Sequence, residues 1–87
     1  MKFNANIIGK TVEIAAGVVI DDGSEDGFTT TTKIRGEVRD LKVTEDGAQV
    51  VYVRLGGVVC GRMIDPDELH PFGVEDGDGG QVVELVD

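Results

Sequence analysis

The sequence predicts a small all-β protein, and three observations support this. Val, Ile and Leu supply most of the apolar residues, beside three Phe, one Tyr and no Trp, and β-branched side chains favour strands over helices. The 13 glycines weaken helices and are suited to turns and bulges. Apolar and polar residues alternate in several runs, as expected for strands with one buried face. The 87 residues, 40% of them hydrophobic, are enough for one domain with one core.

The first predicted strand begins near Ile8. Between Ile8 and Ile20 the even-numbered positions are mostly apolar, which predicts either one long strand or two shorter strands bent at Ala16-Gly17. Residues 21–27 are polar and acidic, with two glycines, and are expected to form a solvated loop. The high β-propensity of residues 29–32 indicates that the next strand starts there.

A three-stranded meander is predicted for residues 29–64. Residues 33–44 and 48–55 should pair through the turn at Asp46-Gly47, because this dipeptide tolerates the positive φ angles of a tight hairpin. Gly56-Gly57 would then lead into a third strand at 58–64.

The first strand of this meander has an irregular alternation. Val38 and Leu41 fall on opposite parities, so a regular strand could not bury both. We therefore expect a β-bulge near Arg39 and Asp40. Gly36, on the inward parity, suits a strand that coils tightly over the core.

Residues 65–69 are predicted to form one 3-10 or α-helical turn. Asp65 could cap it, Pro66 fits the first helical position, and Pro71 would prevent a longer helix. Leu69 and Phe72 would close one end of the core.

The C-terminal part is expected to contain an acidic, glycine-rich segment at 73–80 and a last strand at 81–86. This strand has apolar residues on both faces, so it either lies between two covered faces or pairs with another chain. The residues of the predicted oligomer edge are Val82, Val83, Leu85 and Val86.

The order of elements resembles the SH3-like small barrels, including their Tudor-like and KOW-like branches. The resemblance covers about residues 7–73 and is carried by 33–43, the Asp46-Gly47 hairpin, 48–55, 58–64 and 67–69. It implies a five- to six-stranded antiparallel barrel with the short helical turn near 65–69. An OB-fold is the main alternative, but no segment is long enough for its helix.

The binding functions of SH3-like proteins do not carry over to this sequence. Tyr52 is the only tyrosine and there is no Trp. The sequence therefore has too few aromatic rings for the cluster that binds proline-rich peptides or for a cage that binds methylated side chains. The basic surface of the nucleic-acid-binding members is missing as well.

The charge of the chain limits the classes of partner. There are 17 acidic and 8 basic residues, a formal net charge of −9. This charge disfavours nucleic acid and anionic membranes, which bind chiefly Lys and Arg, and favours a basic protein surface. It could also serve solubility alone.

The sequence contains few residues that could form a catalytic or a metal-binding site. Cys60, the only cysteine, rules out an intrachain disulfide and is expected to be a buried, inert thiol. His70 is the only histidine and has no nucleophile placed beside it by a motif. We therefore expect no enzyme and no cofactor. No apolar run approaches the about 18 residues of a membrane span, and no signal peptide is visible, so a cytoplasmic protein is expected.

The acidic loop partly matches a calcium-binding loop. Asp22, Ser24 and Asp26 would be ligands at its positions 1, 3 and 5, with Gly27 at the bend. Lys33 stands where the bidentate Glu is needed. A solvated loop is the simpler interpretation.

Lys33, Arg35, Arg39 and Arg54 are expected to form a basic row on the predicted hairpin. The row is either an exposed face balanced by acidic neighbours or a docking stripe for an acidic partner. The residues predicted to contact a partner are Asp21, Asp22, Glu25, Asp26, Lys33, Arg35, Arg39, Tyr52 and Arg54.

The leading functional hypothesis is a small non-enzymatic interaction module that binds a basic surface of a partner protein. A sharper form is an acidic decoy that inhibits such a partner, by analogy with acidic proteins of phage and mobile elements. The alternative is a structural subunit of an oligomer held by its edge strands. A weak calcium-binding module is the third hypothesis.

Overall fold

The computed structural model describes residues 3–21, 23–74 and 83–86. A 3-10 turn at Ala5–Ile7 is capped by Asn4, whose side chain accepts a hydrogen bond from the backbone N–H of Asn6. The strands that follow in the described residues are β1 (Thr11–Ile14), β2 (Val19–Ile20), β3 (Phe28–Thr29), β4 (Ile34–Val43), β5 (Gln49–Arg54), β6 (Val58–Val59), β7 (Arg62–Met63), β8 (Leu69–Val74) and β9 (Val83–Leu85).

The protein is all-β, as the sequence predicts. Five strands form one sheet in the order β8-β5-β4-β1-β9, and every pair is antiparallel. The hairpin between β4 and β5 is closed by a hydrogen bond of 2.8 Å from Thr44 N–H to the Ala48 carbonyl, so the Asp46-Gly47 turn is confirmed. Cα atoms of the edge strands β8 and β9 approach within 8 Å of each other, which shows that the sheet curls strongly.

The predicted bulge in β4 is confirmed. Val38 is paired with Val53, and Asp40 with Tyr52, so Arg39 has no residue opposite it. The extra residue turns Val38 and Leu41 toward the same side: Val38 is fully buried, and Leu41 packs against the core. One bulge thus resolves the change of parity in the sequence.

Of the two alternatives for residues 8–20, the structure shows two strands with a bend at Ala16-Gly17. Gly17 has a φ of 83°, and it separates β1 in the main sheet from β2, which pairs with β3 in a separate two-stranded ribbon. The chain therefore leaves the sheet at this glycine.

The prediction of a third meander strand at 58–64 is wrong. Cys60 and Gly61 both have positive φ angles, 49° and 80°, and fold the segment back on itself. β6 and β7 pair with each other in a second small ribbon. β8 takes the place beside β5 instead.

The helical turn predicted near 65–69 is also wrong. Asp65 closes a simple turn: its side chain accepts from Asp67 N–H at 2.9 Å, and its carbonyl accepts from Glu68 N–H at 3.2 Å. Leu69 then begins β8 and is 40% exposed, so it does not close the core, whereas Phe72 is buried as expected. β8 tolerates Pro71 because it is an edge strand, where one side of the backbone needs no ladder partner.

The core lies between the main sheet and the two ribbons. The ribbons contact each other, since the guanidinium of Arg62 lies 5.2 Å from the centre of the Phe28 ring. Buried apolar residues come from both layers, from the N-terminal segment and from the connections: Phe3, Ile7, Val12, Ile14, Ile20, Phe28, Val38, Val51, Val53, Leu55, Val59, Ile64, Phe72 and Val83.

The N-terminal segment is held to the sheet by Gln49. Its side-chain amide donates to the Phe3 carbonyl at 2.6 Å and accepts from the Phe3 N–H at 2.8 Å. The amide thus replaces a backbone partner, and it keeps the buried ring of Phe3 in the core.

The C-terminal strand pairs within its own chain. Val83 to Leu85 lie opposite Ile14 to Val12 of β1. Val83 is fully buried and Leu85 packs against the core, whereas Val86 is 41% exposed. Val82, the remaining residue of the predicted oligomer edge, lies outside the described residues.

Candidate functional site

A cleft of about 300 Å³ separates the acidic loop from β8. Its walls are built by Val19, Ile20, Asp21, Ser24, Glu25, Asp26, Gly27, His70, Pro71 and Phe72.

The acidic loop is shaped by its own polar groups. The Asp21 carboxylate accepts from Gly23 N–H at 2.9 Å, and the Ser24 hydroxyl accepts from Gly27 N–H at 3.1 Å. Gly27 has a φ of 67°, and a Cβ there would collide with the Ile20 carbonyl. This glycine therefore lets the end of the loop lie against β2.

Glu25 and Asp26 are exposed at the rim of the cleft. Because both carboxylates remain in water, they can exchange solvent for a cationic ligand at little desolvation cost. Together with Asp21 they give the entrance of the cleft a concentrated negative charge.

His70 lies in the wall of the cleft. It alternates with Leu69 and Pro71 along β8, so its side chain points inward with that of Phe72, and it is only 3% exposed. Its Nε2 atom is buried without a hydrogen-bond partner. Oε2 of Glu68 lies 3.9 Å from it, which is too far for a hydrogen bond.

An unpaired buried nitrogen is uncommon, since it costs roughly 1–3 kcal/mol when no partner replaces water. Nε2 is closed to solvent, so it offers no contact to a ligand in the cleft. The exposed apolar side chains of the lining are those of Val19 and Pro71. The cleft therefore combines an acidic entrance with apolar side chains.

The structure brings together only some of the predicted partner residues. Asp21, Glu25 and Asp26 lie at the cleft, and Asp22 lies outside the described residues. The basic row and Tyr52 are elsewhere, on the solvent-facing side of the main sheet.

Carboxylates occupy the same face as the basic row. The side chains of Lys33 and Arg35 each lie 3.5 Å from the Glu13 carboxylate, and Arg39 donates to Glu37 at 2.9 Å. Arg54 stands opposite Glu37 in the ladder. The row is thus a mixed-charge surface in which local ion pairs compete with any acidic partner.

Tyr52 has a cationic neighbour of its own. The ammonium of Lys42 lies 5.3 Å from the centre of the Tyr52 ring, an arrangement that favours a cation–π interaction. This places Tyr52 in the mixed-charge surface, apart from the cleft.

The described residues contain no group of three His, Cys, Asp or Glu side chains placed to hold a metal ion. Of the candidate calcium ligands, Ser24 and Asp26 lie in the acidic loop, but the Ser24 hydroxyl is used by Gly27 N–H. Asp22 is not among the described residues.

The prediction that Cys60 is a buried thiol is wrong. Cys60 stands exposed at the turn between β6 and β7. Hydrogen bonds, above all from the backbone N–H of Thr31, lower the pKa of the Cys60 thiol below its ordinary value.

Sequence reasoning missed His70 as a member of the site. It predicted a helical turn at 65–69 and assigned no strand to His70, so the side on which His70 lies was not defined. The signal was present in the alternation of His70 and Phe72 with exposed neighbours, which is the pattern of a half-buried strand.

Comparison with family models, with curated proteins and with solved structures finds no match to this chain. Within the residues that the structure describes, no helix has the length and apolar character needed to cross a membrane.

Proposed function

We propose that this protein is a non-enzymatic interaction module whose acidic cleft binds basic side chains of a partner protein. The observation that carries the proposal is the meeting of three acidic residues, Asp21, Glu25 and Asp26, at one cleft that also has apolar lining. Carboxylates beside apolar side chains suit a ligand that has a cationic end and an apolar stem.

A long basic side chain matches the layers of the cleft. Lys and Arg carry aliphatic stems that pack on apolar surface while their charged ends remain near water or carboxylates. The stem would lie on Val19 and Pro71, which are exposed apolar residues of the lining, and the charged end would face the acidic loop. A net charge of −9 supports this choice, because it attracts a basic protein surface over long range and repels nucleic acid.

An SH3-like small barrel is the fold that we propose for this module. The support is the order of the main sheet: β4, β5 and β8 lie side by side, with the β6–β7 ribbon inserted between β5 and β8, while β1 lies between β4 and the last strand β9. The approach of β8 and β9 is the curling that such a barrel needs.

The proposal is tested with a fluorescent, blocked nine-residue peptide that alternates Arg and Lys with Ser. Its affinity for the full chain is measured by fluorescence anisotropy at low and high salt. We expect binding that weakens as salt rises, since the contacting charges lie at an exposed rim. The double variant Glu25→Gln/Asp26→Asn should bind roughly three- to tenfold more weakly, because each exposed ion pair contributes about 0.2–1 kcal/mol.

A matched control separates the cleft from general charge. The variant Glu45→Gln/Glu84→Gln also removes two exposed carboxylates and brings the net charge from −9 to −7, but neither residue lines the cleft. It should bind almost as the unmodified protein does. Equal weakening in both double variants, or no binding by the unmodified protein, would refute the proposal.

A further inference from the structure

The cleft borders the mixed-charge surface at Pro71. This exposed residue lines the cleft, and it stands directly opposite Tyr52 in the ladder between β5 and β8. Residues that stand directly opposite each other place their side chains on the same face of a sheet. Along β5, Tyr52 and the exposed Arg54 share this face, whereas Val51 and Val53 are buried on the other. A ligand that leaves the cleft over Pro71 therefore reaches Tyr52 and Arg54.

Arg54 is an exposed cation, and no ion pair joins it to any other residue that the structure describes. The Nε atom of Arg35, in contrast, lies 3.5 Å from the Glu13 carboxylate. Arg39 lies 2.9 Å from the carboxylate of Glu37, the residue opposite Arg54 in the ladder. A carboxylate from outside the chain can therefore bind the Arg54 guanidinium without breaking one of these ion pairs.

The neighbours of Arg54 suit a contact with another protein. Leu69 stands opposite Arg54 in the ladder and is exposed, and Tyr52 lies two residues before it on the same face. Tyr and Arg are enriched at protein interfaces, and apolar side chains around a polar contact shield it from water. A carboxylate bound by Arg54 would thus lie beside side chains on which the rest of a partner segment can pack.

We infer that the partner segment carries an acidic residue close to its basic one, and that Arg54 binds the acidic side chain while the cleft binds the basic side chain. The inference rests on the proposed function and adds the charge pattern of the partner. Pro71 and Arg54 are diagonal neighbours across two antiparallel strands, a separation of about 7–8 Å. Residues i and i+2 of an extended segment are about 6.6 Å apart, so the recognised pattern is a basic and an acidic residue separated by one position.

The test uses two blocked seven-residue peptides: the Glu peptide, Ser-Glu-Ser-Arg-Ser-Glu-Ser, and the Gln peptide, which has Gln at both Glu positions. An acidic residue stands on each side of the arginine, so that either chain direction brings one of them to Arg54. Dissociation constants for the full chain are obtained by NMR titration at an ionic strength of about 0.15 M, where charges more than about 8 Å apart are largely screened. The Glu peptide should bind about two- to fivefold more tightly than the Gln peptide, the range of one exposed ion pair.

The direction of this preference distinguishes a contact at Arg54 from general charge. The Gln peptide is cationic and the Glu peptide is anionic. Attraction to a chain with a net charge of −9 would by itself make the Gln peptide the tighter ligand. Tighter binding of the Glu peptide therefore requires a local cationic contact.

The variant Arg54→Gln should remove the preference, so that the Gln peptide binds at least as tightly as the Glu peptide. Arg35→Gln is the matched control, because it also removes one exposed arginine from the same sheet and brings the net charge from −9 to −10. Arg35 already has a carboxylate partner, so this variant should keep the preference. A second measurement needs no variant: in the unmodified protein the backbone amide resonances of residues 52–55 should move more with the Glu peptide than with the Gln peptide.

The outcomes separate the two proposals. If the unmodified protein binds the Gln peptide as tightly as the Glu peptide or more tightly, the role of Arg54 is overturned and the acidic cleft remains a receptor for basic side chains. A preference that survives Arg54→Gln, or that both variants lose equally, would also overturn it. Absence of binding by both peptides would overturn the inference, and a negative result for the nine-residue peptide of Arg, Lys and Ser as well would overturn the proposed function.

Discussion

Gly36 of β4 lies directly against Val53 of β5, so closely that a Cβ atom at Gly36 would overlap Val53 Cγ1. The same Cβ would lie 2.8 Å from the Arg54 carbonyl oxygen and 2.9 Å from Leu55 Cδ2. Because Gly36 has no side chain, β4 can bend over the core just before its bulge. The neighbouring strands of the sheet follow this bend.

Replacing Gly36 by alanine should destabilise the protein. Part of the obstruction is backbone, which cannot rotate away as a side chain can, so we expect a loss of about 1–3 kcal/mol in the free energy of unfolding. Gly73→Ala is the matched control, since Gly73 also lies in a strand but a Cβ added there would meet no atom within 4 Å. Urea unfolding measures both. Similar stabilities for the two variants would show that β4 does not need the close approach.

Thr30 holds the bend between β1 and β2. Its buried hydroxyl accepts from Val18 N–H at 3.1 Å and donates to the Ala15 carbonyl at 3.4 Å. Thr30→Val keeps the shape but leaves Val18 N–H without that acceptor, which should cost about 1–3 kcal/mol.

A substitution at the exposed neighbour Thr29 is the control for Thr30→Val. Thr29→Val alters the same chemical group on the solvent side of β3 and should change stability by less than about 0.5 kcal/mol. Hydrogen exchange at the Val18 amide should also become faster in Thr30→Val alone. Unchanged exchange there would mean that the hydroxyl does not hold this bend.

Cys60 should react as an activated thiol. The backbone N–H of Thr31 is the main cause of its lowered pKa, and it stabilises the thiolate in the folded state only. The rate of alkylation by iodoacetamide should therefore reach half of its maximum at a lower pH in the folded protein than in urea. Because Cys60 is the only cysteine, the two rates report on one group. Coincident pH profiles would contradict the hydrogen-bonded thiolate.

The parts of the fold that follow from local patterns could be predicted from the sequence. The Asp46-Gly47 hairpin is fixed by turn chemistry, and the bulge after Val38 is fixed by the change in parity, so neither depends on distant contacts. The placement of β8 does depend on them. Asp65, Pro66 and Pro71 are typical of a short helix locally, but pairing with β5 overrides that preference.

The ribbon at 58–64 was missed because Cys60 is not a usual residue for a positive φ. Because the sequence carries no typical turn residue at position 60, residues 58–64 have the pattern of one continuous strand. The candidate site was missed in part for the same reason: the acidic loop was recognisable from its charge, but its neighbour His70 is set beside it only by the true course of β8.

The most direct test of the acidic cleft is to map, by ¹H–¹⁵N correlation NMR, where the nine-residue peptide of Arg, Lys and Ser binds the unmodified protein. The account predicts that the shifted resonances concentrate at residues 20–27 and 69–72, with those of Gly27 and His70 among the largest. Shifts concentrated instead around Arg35 and Tyr52, on the mixed-charge face of the main sheet, would contradict it and place the binding surface on that face.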